Sequence, residues 1–128
     1  NRIGTDPTGT SAVPNAFDGV FVEAPGNLIS GNVISGNGSV GVQLFGSLAA
    51  GNRIVGNFIG TDPTGNAPVG NRLDGVYVNN APGNQILNNV VSANGSVGVQ
   101  LFDAGTGRLL PLGPLPITHW HGQADASG

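Results

Sequence analysis

Two aspartates at equivalent places in the chain are the first candidates for chemistry. Asp18 and Asp74 each precede a Gly-Val dipeptide. Two carboxylates held about 6.5 to 9.5 Å apart can act as general acid and general base in the hydrolysis of a glycosidic bond with inversion. Asp-Gly is also a common turn pair, so a structural role for both aspartates is the alternative.

The remaining candidates for chemistry are a histidine pair and two further acids. His119-Trp120-His121 holds both histidines of the chain, but zinc takes three or four ligands and the nearby carboxylate is only Asp125. Asp6 and Asp62 lie in identical Thr-Asp-Pro-Thr-Gly segments, where a carboxylate can bond to backbone N–H groups or bind calcium. There is no cysteine. We expect no catalytic residue, no bound metal and no cofactor.

The composition excludes several classes of partner. Charged residues make up 9% of the chain, all four basic residues are arginine, and the net charge is −3, which disfavours nucleic-acid binding. No apolar run approaches the roughly 18 residues of a membrane helix, so we expect no membrane insertion. The 23 glycines and 9 prolines are many, but a hydrophobic content of 38% supports a packed core.

An internal duplication organises these residues. The segment 3–9 returns unchanged as 59–65, and with one insertion at Asn80 the two copies agree at 30 of 44 positions. A Gly-Val-x-apolar pattern recurs within the copies, beginning at Gly19, Gly41, Gly75 and Gly98. The longer interval between these segments contains the Asp-Pro-Thr-Gly sequence, which suits a type I turn. We therefore expect a loop, and not a helix, at that insertion.

A second pattern places short strands between sharp corners. Gly-Asn-x-apolar-x-x-Asn-x-apolar begins at Gly26 and at Gly51, and recurs with Asn-Asn at its second corner from Gly83. Gly and Asn adopt positive φ at low cost, which favours a bend at each pair. Three short strands per turn of about 22 to 25 residues, with no helical periodicity, predict a solenoid of stacked β coils. The expected fold class is therefore all-β, with about four coils stacked in parallel.

This register predicts which side chains face the core and which face outward. The inward positions of the Gly-Val-x-apolar strands are Val20, Val22, Val42, Leu44, Val76, Val78, Val99 and Leu101. The outward positions form a stripe that we take as the candidate ligand-binding surface: Phe21, Gln43, Tyr77 and Gln100. The corner residues predicted to stack as a hydrogen-bonded ladder are Asn32, Asn57 and Asn89, with Asn1 as a truncated first member. The alternative for Phe21 and Tyr77 is that they pack under neighbouring loops.

These motifs resemble the right-handed parallel β-helix repeats of the pectin-lyase-like superfamily. The likeness is to the Gly-Asn-x-Ile and Ile-Gly-Thr-Asp-x-Thr-Gly arrays of bacterial secreted or surface proteins, and it covers about residues 1–103. The resemblance implies an extracellular or cell-surface location. Polysaccharide lyases of the superfamily would show clustered calcium-binding acids and a basic residue as Brønsted base, whereas the acids here are isolated and lysine is absent.

The function expected from the sequence is that of a non-catalytic β-helix segment of a bacterial secreted or surface protein, which serves either as a rigid spacer or as a carbohydrate-contacting scaffold. The alternative is the substrate-binding fragment of a carbohydrate-active β-helix enzyme of the lyase, hydrolase or epimerase type. A polysaccharide is the expected partner. Self-association is expected as well, because open coil ends expose unpaired backbone groups.

The two ends of the chain depart from the repeat. Residues 1–4 align with 57–60, so the repeat segment, residues 1–103, is expected to begin partway through a coil. Residues 104–128 carry prolines where the next coil is due. This atypical tail could be a C-terminal cap, a disordered segment or the product of a reading-frame slip, since 118–122 shifted by one nucleotide can encode Pro-Thr-Gly-Thr.

Overall fold

The computed structural model describes residues 1–102, which form short strands and turns without a helix. The expectations for the tail 104–128 and for His119-Trp120-His121 lie outside the described residues. Sheet 1 contains β1 (Arg2–Ile3), β4 (Val33–Ile34), β7 (Phe58–Ile59) and β10 (Val90–Val91). Sheet 2 contains β2 (Val20–Val22), β5 (Val42–Phe45), β8 (Val76–Asn79) and β11 (Val99–Phe102). Sheet 3 contains β3 (Leu28–Ser30), β6 (Arg53–Val55) and β9 (Gln85–Leu87).

The strands stack as successive coils, because the chain visits sheets 1, 2 and 3 in turn and then repeats. Each strand pairs in parallel with its equivalent in the next coil. The register joins like residues, as in Ile54↔Ile86 and Val42↔Val76. The predicted fold class, a parallel β-helix of about four coils, is confirmed.

The core is a set of vertical aliphatic stacks inside the coils. Its fully buried side chains include Ile34, Ile59 and Val91 from sheet 1, Val42, Leu44, Val76, Val78, Val99 and Leu101 from sheet 2, and Ile54 and Ile86 from sheet 3. Val20 is partly buried against the same cluster. Identical or similar side chains in adjacent coils fill equal volumes, so each coil packs on the next without steps in the core.

Glycine precedes each sheet 2 strand, and before β2, β5 and β8 the next coil lies too close for a side chain. A Cβ at Gly41 would lie 2.5 Å from the carbonyl oxygen of Gly75 and 2.8 Å from Nδ2 of Asn71. Gly19 and Gly75 show the same crowding against the coil that follows. The Gly-Val-x-apolar motif is therefore a packing requirement at one corner of the coil.

Three asparagine ladders hold the corners of successive coils together. In the predicted column, the backbone N–H of Asn32 donates to Oδ1 of Asn57, and that of Asn57 donates to Oδ1 of Asn89. The N-terminal amino group of Asn1 donates to Oδ1 of Asn32. Two further columns repeat this backbone-to-side-chain bond: Asn27, Asn52 and Asn84, and Asn37, Asn71 and Asn94. Only the column of Asn32, Asn57 and Asn89 was predicted from the sequence.

The two long loops cover the outer face of sheet 1. A Cβ at Gly65 would touch the ring of Phe58 at 3.0 Å, so this loop lies directly over β7. Each loop closes through an Asp-Pro-Thr-Gly turn, in which the N–H of Gly9 donates to the Asp6 carbonyl and that of Gly65 to the Asp62 carbonyl. The expected loop at the insertion is thus present, and it leaves sheet 2 uncovered.

Candidate functional site

The four predicted ligand-binding residues lie in one row across the outer face of sheet 2. Phe21 pairs with Gln43, Gln43 with Tyr77, and Tyr77 with Gln100 in the parallel ladder. Phe21 is 51% exposed and the other three are partly exposed. At the ordinary spacing of about 4.8 Å between strands, Phe21 and Tyr77 are roughly 10 Å apart along the helix axis. The structure therefore brings the four residues together.

A second outward row, which the sequence analysis missed, runs beside the first. Phe45 and Phe102 both pair with Asn79, and Glu23 directly follows β2. The signal for this row was in the sequence, because strand alternation places every second residue on one face. The Gly-Val-x-apolar motif covers only four residues in each coil, and this row is formed by the fifth.

The two rows together form a checkerboard that we call the aromatic–polar face. Its eight residues are Phe21, Glu23, Gln43, Phe45, Tyr77, Asn79, Gln100 and Phe102. Each coil contributes one aromatic ring and one amide or carboxylate. The aromatic ring lies in the first row in one coil and in the second row in the next. The rings of Phe21 and Phe45 are stacked with centroids 6.1 Å apart. The aromatic path consequently zigzags along the axis instead of forming a single column.

A groove borders this face on the side of the turn between β5 and β6. It has a volume of about 440 Å³ and is lined by Glu23, Phe45 and the turn residues 46–48. This turn spans 46–52, whereas the equivalent turns of the neighbouring coils span only 23–27 and 80–84. Leu48 is 72% exposed at its tip. The longer turn therefore gives the face a raised apolar edge in the second coil.

The polar groups of the face include acceptors and a protonated hydroxyl. Nδ2 of Asn79 donates to the Tyr77 hydroxyl oxygen at 3.2 Å. A tyrosine hydroxyl keeps its proton at neutral pH and can donate, and burial together with the negative charge of Asp74 raises the pKa of Tyr77 further. No lysine, arginine or histidine lies on the described strands of sheet 2. The face is electrically neutral to negative.

Asp18 and Asp74, the candidate carboxylate pair, are engaged in holding coils together. Oδ1 of Asp18 accepts the backbone N–H of Val40 at 3.0 Å, and Oδ1 of Asp74 accepts that of Val97 at 3.0 Å. Asp74 is buried. Each aspartate thus caps the start of the strand in the following coil, which is the structural alternative named for the pair.

Asp6 and Asp62 have the capping role in the long loops. Oδ1 of Asp62 accepts from the Thr64 hydroxyl at 2.7 Å and from the backbone N–H groups of Thr64, Asn66 and Ala67. The hydrogen bond from the Thr64 hydroxyl lowers the pKa of Asp62, and the backbone hydrogen bonds act in the same direction while burial opposes them. Equivalent hydrogen bonds lower the pKa of Asp6. Within residues 1–102 no group of three or more His, Cys, Asp or Glu could hold a metal ion.

Comparison with known families shows the family to which the chain belongs. A family model described as the right-handed beta helix region matches residues 8–110. The chain therefore belongs to the right-handed β-helix family, in agreement with its three parallel sheets. No curated protein and no solved structure matches it significantly. Among the residues that the structure describes, no helix is long and apolar enough to cross a membrane.

Proposed function

We propose that the chain is a non-catalytic β-helix scaffold of a secreted or cell-surface protein and that it contacts carbohydrate through the aromatic–polar face. The observation that carries the proposal is the checkerboard itself. Aromatic rings present apolar surface that suits the C–H face of a sugar ring, and amide groups can donate to and accept from hydroxyls. Spacing of roughly 10 Å between Phe21 and Tyr77 is comparable to a disaccharide repeat.

The other outer faces lack this combination. The long loops cover sheet 1, where Val33 is only 3% exposed. Sheet 3 is open, but its outward residues include Leu28, Arg53 and Val55 and no aromatic ring. Exposed apolar area on a protein surface often marks an interaction site. Of the three exposed aromatic rings among the described residues, Phe21 and Phe45 lie on sheet 2, and Phe17 lies in the loop that leads into β2.

A binding experiment tests the proposal directly. Tyr77 fluorescence is followed in a Trp120→Phe background during titration with cellohexaose, a neutral linear oligosaccharide, and with oligogalacturonate, an acidic one. We expect a saturable change in Tyr77 fluorescence with at least one of them. Because Tyr77→Ala removes the reporter, the variants are compared by calorimetry, in which binding should be lost in Tyr77→Ala and weakened about tenfold or more in Phe45→Ala. Leu28→Ala, an exposed apolar residue on sheet 3, is the control and should bind like the parent. Failure of both sugars at millimolar concentration would refute carbohydrate contact.

Self-association is a second part of the proposal. β1, β2 and β3 each have a hydrogen-bonded neighbour on one side only among the described strands. Such edges pair readily with another chain. Sedimentation velocity should show the average mass rising with concentration, and a single monomeric species throughout would contradict this part alone.

A further inference from the structure

We propose that the ligand of the aromatic–polar face is an uncharged glycan, and that Glu23 selects against glycans built of uronic acids. This inference rests on the proposed carbohydrate contact and specifies its chemistry. It comes from the position of Glu23 beside the aromatic rings and from the charges that surround them.

Glu23 stands where a sugar stacked on the aromatic pair would place its hydroxyls. It lines the groove together with Phe45, whose ring stacks on Phe21. An ionised carboxylate accepts hydrogen bonds and donates none, so it matches the hydroxyl groups of a neutral sugar. The carboxylate of a uronic acid at the same place would be a second acceptor with the same charge.

No cation on the described strands of the face offsets that charge. The strands of sheet 2 carry no basic residue, and Arg53 lies on sheet 3, where its Nε donates to Oε1 of Gln85. An anionic glycan lying across the face would therefore meet the negative charge of Glu23 without a compensating positive group on the described strands of sheet 2.

The expected discrimination is modest and depends on salt. Two unit charges about 4 Å apart in water repel by an amount that corresponds to roughly fivefold in affinity. Because the groove is open to solvent, salt at about 1 M, with a screening length of roughly 3 Å, should remove most of the difference. Contacts of the neutral ligand with the aromatic rings should be nearly unaffected by salt.

The test compares ligands that share one backbone and differ in charge. Hydroxyethyl cellulose and carboxymethyl cellulose form one pair, and methyl-esterified and free polygalacturonate form the other. In affinity electrophoresis, the protein should bind the neutral member of at least one pair with about fivefold higher affinity than its charged counterpart. Glu23→Gln, which keeps an acceptor oxygen but loses the charge, should reduce that ratio to about twofold or less.

Ser30→Lys is the matched control, because it raises the net charge by the same amount on the exposed edge of sheet 3. It should leave the ratio unchanged. Equal or stronger binding of the charged members would overturn the inference and leave carbohydrate contact standing. Loss of discrimination in Ser30→Lys as well would show that net charge, and not Glu23, is responsible. Absence of binding to all four polymers would refute the proposed function and the inference with it.

Discussion

Replacing Asn57 by alanine removes the centre of the ladder formed by Asn32, Asn57 and Asn89. The Asn57 side chain makes four hydrogen bonds and is 1% exposed. Its Oδ1 accepts from the backbone and side-chain nitrogens of Asn32 at 2.9 and 3.1 Å. Its Nδ2 donates to the carbonyl of Ile29 at 2.9 Å and to Oδ1 of Asn89 at 3.0 Å.

The expected loss of stability follows from what the substitution leaves unpaired. A neutral hydrogen bond contributes about 1 kcal/mol net, and a buried group left without its partner costs about 1 to 3 kcal/mol. The backbone N–H of Asn32 loses its partner, while Oδ1 of Asn89 keeps the backbone N–H of Asn57. Because costs within one network are not additive, we expect the free energy of unfolding to fall by about 3 kcal/mol.

Urea denaturation followed by far-UV circular dichroism measures this loss. With a slope of about 2 kcal/mol per molar urea, the midpoint should fall by about 1.5 M. Asn66→Ala, at an exposed position of the long loop, should change stability by less than about 0.5 kcal/mol. A similar midpoint for the two variants would show that the ladder contributes little and would refute the reasoning.

Three further outcomes test the same structure. Gly41→Ala should lower the free energy of unfolding by more than about 2 kcal/mol, because the new Cβ would lie 2.5 Å from a carbonyl oxygen of the next coil. Gly56→Ala is the control: Gly56 has φ +65° and open space around it, so the substitution should cost only about 1 kcal/mol. Urea denaturation measures both. Ala93→Gly should raise the thermal midpoint, since Ala93 is held at φ 61° where glycine is unstrained; a lower midpoint would contradict this. The pKa values of Asp6 and Asp62 are lower in the folded chain, so their stabilising effect is complete above the unfolded pKa of about 3.9 and is lost as pH falls through the folded values. Unfolding free energies measured from pH 6 to pH 2.5 should therefore fall less steeply for Asp62→Asn than for the parent, and equal slopes would contradict this assignment.

The sequence predicted the coils well because their constraints are local and repeated. Val42 and Val76 occupy equal places in a repeated strand pattern, and the alternation placed both in the core, where they are buried. The corner residue Asn57 follows a glycine at φ +65°, a pairing that the motif displays openly. Such positions depend only on the strand period and on the conformational preferences of Gly and Asn.

The unpredicted features depend on how the coils are arranged in space. Asn37, Asn71 and Asn94 form a ladder, but Asn37 and Asn94 precede a glycine whereas Asn71 precedes an arginine, so the three share no sequence motif. The second row of the aromatic–polar face is an exception, because strand alternation indicates it; its members differ in residue type, as Phe45 and Asn79 do, so the recurring Gly-Val-x-apolar motif does not include them. Which sheet the loops would cover depends on the direction in which each loop leaves the coil, and sequence spacing does not specify that direction.

The most direct test of carbohydrate contact on sheet 2 is a map of the amides that respond to a neutral glycan. Cellohexaose is titrated into the ¹⁵N-labelled chain, and amide chemical shifts are followed by two-dimensional NMR. Saturable shifts should concentrate on β2, β5, β8 and β11 and on the turn at 46–48, with little change on β3, β6 and β9. Shifts confined to sheet 3 or to the long loops, or no saturable shift anywhere, would contradict the assignment of the aromatic–polar face as the binding surface.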